Sequence, residues 1–312
     1  MLEITVIKPH GFCSGVRAAV EMARHALSVH GEVWCLHELV HNGAVVDELR
    51  KNGMRFVECL EEVPEGGVVL FSAHGVPPSV RAQAAVRRLK VIDATCPFVA
   101  RAHRQVREFA ERGVPVVVVG NTEHVEVIGL VGEYKEYKVF KDSKEFKVSK
   151  VPNDFNDLTD FKDLKVVNAA AAVAGLPFPE DGLVGVVCQT TLSSGTVNAV
   201  LSALRARYPH LLESSASDTC TATRDRQRAV GDFVRSGDPS TTGVLVVGSA
   251  NSSNTARLVD IAHDAGAAAW RVDGPDELSS CDFAGIRRLG LTAGASTPEA
   301  IVVDIVARLG RI

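Results

Sequence analysis

The chain has 312 residues, 46% of them hydrophobic and 23% charged, the balance of a soluble globular protein with room for two or three domains. A formal net charge of −4 offers no basic field for nucleic acid, but leaves open a small anion held by amides, hydroxyls and imidazoles. No apolar run reaches the ~20 residues a membrane helix needs, and the first residues read as a strand rather than a secretory signal. A cytoplasmic, reducing setting is therefore expected, in which the seven cysteines are ligands, catalysts or core residues rather than disulfides.

In chain order, a strand is predicted over Leu2–Ile7. The turn Gly11-Phe-Cys13-Ser-Gly precedes a helical pattern over Val16–Val29, a strand over Glu32–Leu36 and the polar loop His37-Glu-Leu-Val-His41-Asn42. A strand over Val68–Phe71 leads to a second polar loop, Ser72-Ala-His74-Gly75. The same order returns after Asp93-Ala-Thr-Cys96-Pro: a helix over Ala100–Arg112, a strand over Val114–Val119, and the loop Gly120-Asn-Thr-Glu-His124-Val-Glu126. A strand over Leu183–Cys188 then delivers Gln189-Thr190-Thr191. It returns once more after Asp218-Thr-Cys220-Thr, with a helix over Ala222–Arg235, a strand over Val244–Val247 and the loop Gly248-Ser-Ala-Asn-Ser252-Ser253-Asn254. A helix over Thr255–Ala265 and a strand over Leu289–Leu291 end at Thr292-Ala-Gly-Ala-Ser296. Gly31, Gly53, Gly113 and Gly266 stand where helices would close.

The alternation of strands and helices predicts α/β layers with mainly parallel sheets, and the recurring order predicts three units, each opened by one cysteine. One stretch interrupts it. Eight of the eleven lysines fall between Lys135 and Lys165, and no arginine lies between Arg112 and Arg205. A partly extended surface excursion, near 134–182 on the second unit, is the expectation, with a docking patch for an acidic redox partner as the functional alternative.

Cys13, Cys96 and Cys220 differ from Cys35, Cys59, Cys188 and Cys281 in standing at loop-to-helix junctions beside Gly, Thr and Asp. A helix N-terminus favours the thiolate, the form that binds metal. Three thiolates can hold an iron–sulfur cube and leave its fourth iron open to a substrate; zinc on three cysteines and a water is the competing reading. The six polar loops each follow a strand, the place where open α/β sheets bind ligands, so one site is expected. His41, His74 and His124 occupy corresponding loops and, with Ser252, Ser253, Asn254 and Ser296, would give a diphosphate many donors; Ser252–Asn254 also precede a helix, an anion site in itself. Glu126, with Glu38 and Glu123 as rivals, would have its pKa raised by a neighbouring cluster and anion and so could hold and deliver a proton, which Thr190 could relay unless it holds a substrate hydroxyl.

These stretches, in order and across nearly the whole chain, resemble the 4-hydroxy-3-methylbut-2-enyl diphosphate reductases of the non-mevalonate isoprenoid pathway. The resemblance implies three similar α/β domains in a pseudo-threefold trefoil around a central 4Fe–4S cluster on Cys13, Cys96 and Cys220, with one open iron site. It implies that His41, His74, His124, Ser252, Ser253, Asn254 and Ser296 hold the diphosphate, with Glu126 as proton source and Thr190 beside the substrate hydroxyl. Electrons would come from ferredoxin or flavodoxin. Domain limits follow as 14–96, 97–216 with the lysine-rich excursion, and 217–312 joined by 1–13, with no further domain expected after Ile312. A cluster-bearing lyase of quinolinate-synthase type would want arginines in the loops, which have none; a redox or iron sensor would want a partner surface or DNA-binding element, which no motif supplies.

Overall fold

The computed structural model describes residues 2–143, 161–213 and 219–310. The strands there are β1 (Glu3–Val6), β2 (Val33–Leu36), β3 (Met54–Val57), β4 (Val68–Phe71), β5 (Lys90–Asp93) and β6 (Val116–Val119), followed by β7 (Leu164–Val167), β8 (Val184–Cys188), β9 (Leu211–Leu212), β10 (Thr242–Val247), β11 (Ala268–Val272) and β12 (Arg288–Ala293). The helices are α1 (Ser14–His30), α2 (Gly43–Lys51), α3 (Pro78–Val86), α4 (Pro97–Arg112), α5 (Val125–Ser143), α6 (Ser194–Arg207), α7 (Thr221–Arg235), α8 (Ser253–Asp264) and α9 (Glu299–Leu309).

Among the described residues these strands form three four-stranded sheets, ordered β3-β2-β4-β5, β7-β6-β8-β9 and β11-β10-β12-β1. Every pairing is parallel. Written by rank within each set, all three follow one order, second-first-third-fourth. The N-terminal strand takes the fourth place of the last sheet, Glu3 opposite Arg288 and Val6 opposite Leu291. The expectation of three similar α/β layers is thus met by three copies of one topology.

The chain divides into two compact units: Met1–Arg17 with Val40–Leu49 and Cys220–Ile312, and Ala18–Leu39 with Arg50–Thr219. The first holds the sheet containing β10, and the second holds the other two. The cores follow from β-branched runs buried on both faces, as a parallel sheet covered by helices requires. In β6, Val116 and Val118 pack with Phe109, Leu130 and Tyr134, while Val117 and Val119 pack with Val197, Leu201 and Leu204 of α6. In β10, Val244 and Val246 join Val230, Val234 and Leu258, while Leu245 and Val247 join Val302, Ile305 and Leu309.

Helix α4 shows how its sequence sets its placement. Val99, Ala102, Val106, Phe109 and Ala110 recur at helical spacing and are buried together. Gly113 closes it at φ 69, a left-handed cap that only glycine adopts without strain, and Val114 N–H returns to Phe109 O at 2.9 Å.

Two expectations change. The lysine-rich stretch is regular structure at its ends: α5 continues to Ser143, and β7 pairs with β6 as an edge strand, Leu164 opposite Val116. A four-residue edge strand containing Lys165 is too short for alternation to reveal it. Residues 144–160 of that stretch lie outside the described residues. Glu126 is not in a loop but in the first turn of α5.

Gly185 of β8 faces Phe109, and a Cβ there would stand 2.7 Å from the ring. Gly185→Val should cost about 1–3 kcal/mol by overpacking. Urea unfolding checks this, with Phe109→Leu in the same chain restoring part of the loss.

Candidate active site

Cys13, Cys96 and Cys220 each immediately precede the first helical residue, of α1, α4 and α7. At Cys13 the sulfur accepts Val16 N–H at 3.4 Å, and at Cys220 it accepts Thr223 N–H at 3.4 Å. The carbonyls of Cys13, Cys96 and Cys220 start the helical ladders, accepting from Arg17, Ala100 and Arg224. Two of the three are anchored in the same way: Cys13 N–H donates to Ala295 O beyond β12, and Cys96 N–H to Ala73 O beyond β4, in each case the third strand of its set. All three cysteines are half-buried, whereas Cys35 and Cys188 are buried strand residues, as expected, and burial pushes the Cys35 thiol well up.

The first unit gathers one polar group of residues. Ser252 caps α8, its Oγ accepting Thr255 N–H at 3.3 Å. Ser296 Oγ donates to His41 O at 2.9 Å, and Gly43 N–H donates to Ser249 Oγ at 3.3 Å, so the His41 loop is pinned to the loops after β12 and β10. Asn254 is only 3% exposed, yet its side-chain oxygen and nitrogen have no partner among the described residues. A buried amide left without bonds costs stability unless a ligand supplies them. Ser253 is half-buried beside it.

The second unit gathers another. The rings of His74 and His124 stand edge to face with centroids 5.8 Å apart. Ser72 Oγ holds His74 through Nδ1 at 3.3 Å, and His124 Nδ1 accepts Glu126 N–H at 3.2 Å. Glu126 is 1% exposed and receives two hydrogen bonds from Thr190, N–H to Oε1 at 2.8 Å and Oγ1–H to Oε2 at 3.0 Å. Burial pushes its carboxyl up to about 7 against the opposing pull of both Thr190 bonds. A helix N-terminus also favours the charged form, so desolvation is the dominant effect. Of the rivals, Glu123 is exposed and Glu38 half-buried, so Glu126 alone of the three is buried.

Sequence reasoning placed Gln189 in a polar loop without giving it a role, and passed over the other residues that brace these groups. Gln189 Oε1 accepts Asn121 N–H and its Nε2 donates to Thr191 Oγ1, tying the loops after β6 and β8. His103 is buried and pairs with Glu133 at 2.9 Å, whose other oxygen accepts from Arg107. Burial works to raise the Glu133 carboxyl, but His103 and Arg107 together hold it below the usual carboxylate range. His103 lies against the His74 loop so closely that a Cβ on Gly75 would come within 2.8 Å of Nε2. Arg226 is also buried, and donates to Gly11 O at 2.7 Å.

The profile of the LytB protein family matches residues 4–310. The chain belongs to the LytB family. It is 39% identical over 308 residues to 4-hydroxy-3-methylbut-2-enyl diphosphate reductase 2 of Burkholderia mallei, covering 98% of this chain and 85% of that one. It is also 39% identical to the reductase of that name from Pseudomonas aeruginosa, over 99% of this chain and 90% of the relative. Among solved structures, the E-1-hydroxy-2-methyl-but-2-enyl-4-diphosphate reductase of Plasmodium falciparum superposes with a TM-score of 0.85 at 30% identity, over 98% of this chain and 87% of that one.

An iron–sulfur cofactor is implied for a LytB protein, and the donor set of this chain fits one: three half-buried cysteines, each at the N-terminus of a helix, with a buried guanidinium near two of them. Among the described residues no three His, Cys, Asp or Glu side chains are grouped to hold a single metal ion.

The Glu126 carboxyl, near 4.5 when unfolded and about 7 in the fold, contributes stability that is lost as pH rises between those values. Wild type should therefore lose about 3 kcal/mol relative to Glu126→Gln between about pH 4.5 and pH 7.5. Urea unfolding at several pH values measures this; the same pH dependence in both proteins would contradict the assignment.

Proposed function

We propose that this chain catalyses the reductive dehydroxylation of 4-hydroxy-3-methylbut-2-enyl diphosphate to isopentenyl and dimethylallyl diphosphate, the last step of the non-mevalonate pathway. The names of its relatives and the polar loops that follow the middle strands support this reading. The allylic C–O bond breaks, two electrons and two protons enter, and water leaves with one of those protons. Cys13, Cys96 and Cys220 hold a 4Fe–4S cluster with one open iron, which when bound supplies the electrons and an electrophilic metal for the hydroxyl.

His41, His74, His124, Ser252, Ser253, Asn254 and Ser296 bind the diphosphate. The unpartnered Asn254 amide and the N-terminus of α8 are the features that favour an anion there. Thr190 orients the substrate hydroxyl and Glu126 delivers the proton that turns it into a leaving water. Electrons arrive from ferredoxin or flavodoxin, in the cytoplasm. No described helix is long and apolar enough to cross a membrane. The division into domains 14–96, 97–216 and 217–312 with 1–13 belongs to the same reading.

The observation that carries the proposal is Glu126: buried, doubly bonded to Thr190, and shifted to where it can both keep and give a proton near neutral pH. In protein reconstituted anaerobically, Glu126→Gln should retain cluster and substrate binding and lose about 10²–10⁴-fold in kcat. Near-normal turnover would refute the role. The acid form is the working form, so kcat of the wild type should fall as pH rises through about 7. Thr190→Val removes a bond that favours the carboxylate, so this alkaline limb should move upward. A limb that stays in place contradicts the coupling.

A further inference from the structure

Arg226 lies in the second turn of α7, the helix that Cys220 caps, and is only 4% exposed. One guanidinium nitrogen, Nη1, donates to Ala222 O at 2.9 Å within the helix. The other, Nη2, donates at 2.7 Å to Gly11 O, two residues before Cys13. Its Nε is buried and has no acceptor among the described residues. The neighbouring acid, Asp225, is half-exposed and stands 3.9 Å from Arg228 instead. Burial pulls the Arg226 guanidinium below its usual range, and the anionic neighbours that oppose this are first Cys13, then Cys220, then Asp225. A guanidinium taken out of water is costly unless negative charge lies close to it. Here the first two sources of such charge are cysteine sulfurs of the proposed cluster site.

We propose that Arg226 is a positioning residue of the iron–sulfur site: it ties the Gly11–Cys13 turn to α7 and offsets the negative charge carried by Cys13 and Cys220. The inference rests on the cluster reading above. Three thiolates on a cube leave the assembly anionic, and an added electron makes it more so. A fixed cation beside two of the ligands therefore stabilises the reduced form more than the oxidised one. The planar fork suits the double task, since it reaches Ala222 and Gly11 carbonyls at once while staying charged; a lysine keeps the charge and gives up one of the bonds.

The test compares the one-electron midpoint potential of the reconstituted wild type with those of Arg226→Gln and Arg226→Lys, alongside iron content. With the cluster loaded, Arg226→Gln should lower the reduced-to-oxidised ratio at the wild-type midpoint about tenfold, a negative shift of about 59 mV. Arg226→Lys should stay within about twofold of wild type. If Arg226→Gln takes up no cluster while Arg226→Lys does, the charge is needed to assemble the thiolates, which supports the same assignment. A role in packing alone would lower iron content or thermal stability in both variants and leave the midpoint of the loaded protein in place, and that result overturns the proposal. A wild type that binds no cluster removes the cluster reading itself, and this inference with it.

Discussion

In a parallel sheet every strand ends at the same edge, so each connection that leaves a strand must start there. Each sheet of this protein is wholly parallel and has the same strand order. The polar residues at issue follow β2, β4, β6, β8, β10 and β12, the first and third strands of each set, which sit side by side in the middle of each sheet. The buried valine runs of β6 and β10 do not touch chemistry, yet they fix the edge from which it emerges. A cysteine before the opening helix completes each set, and its backbone bond to the loop after the third strand, seen for Cys13 and Cys96, joins cysteine to loop.

On that frame, burial decides the charge states. Glu126 stands in a helical first turn and accepts two bonds from Thr190, both of which favour a carboxylate, but loss of water outweighs them. Glu133, equally buried on the same helix, is driven the other way because His103 and Arg107 supply charge and donors. Two carboxyls on α5 are therefore driven apart by their partners: one is pushed up to about 7, the other is held low in a network against Gly75 beside His74. Arg226 is the converse case, a buried cation whose neighbours are sulfurs.

Much of this was legible in the residues. The three Cys-to-helix junctions, the loops at His41, His74 and His124, and the strand cores could be read because each is local: a cap residue, a turn and a short apolar run. Glu126 was singled out by its place after a strand, but its helix was missed, since Val125–Ser143 mixes apolar, lysine and tyrosine residues without a clear stripe. Edge strands such as β5, Lys90–Asp93, and β7 escaped because four residues, with a lysine in each, carry little pattern. His103 and Arg226 could not be found from sequence, because their meaning lies in bonds to residues tens to hundreds of positions away, such as Arg226 to Gly11.

The central claim is that three thiolates of this chain hold a cube with one iron open to the substrate hydroxyl. Mössbauer spectroscopy of protein reconstituted anaerobically with isotope-enriched iron, before and after adding 4-hydroxy-3-methylbut-2-enyl diphosphate, tests it most directly. The account predicts one iron of the cube distinct from the others, with a signal that moves when substrate is added. Four equivalent irons indifferent to substrate, or no cluster at all, would contradict it.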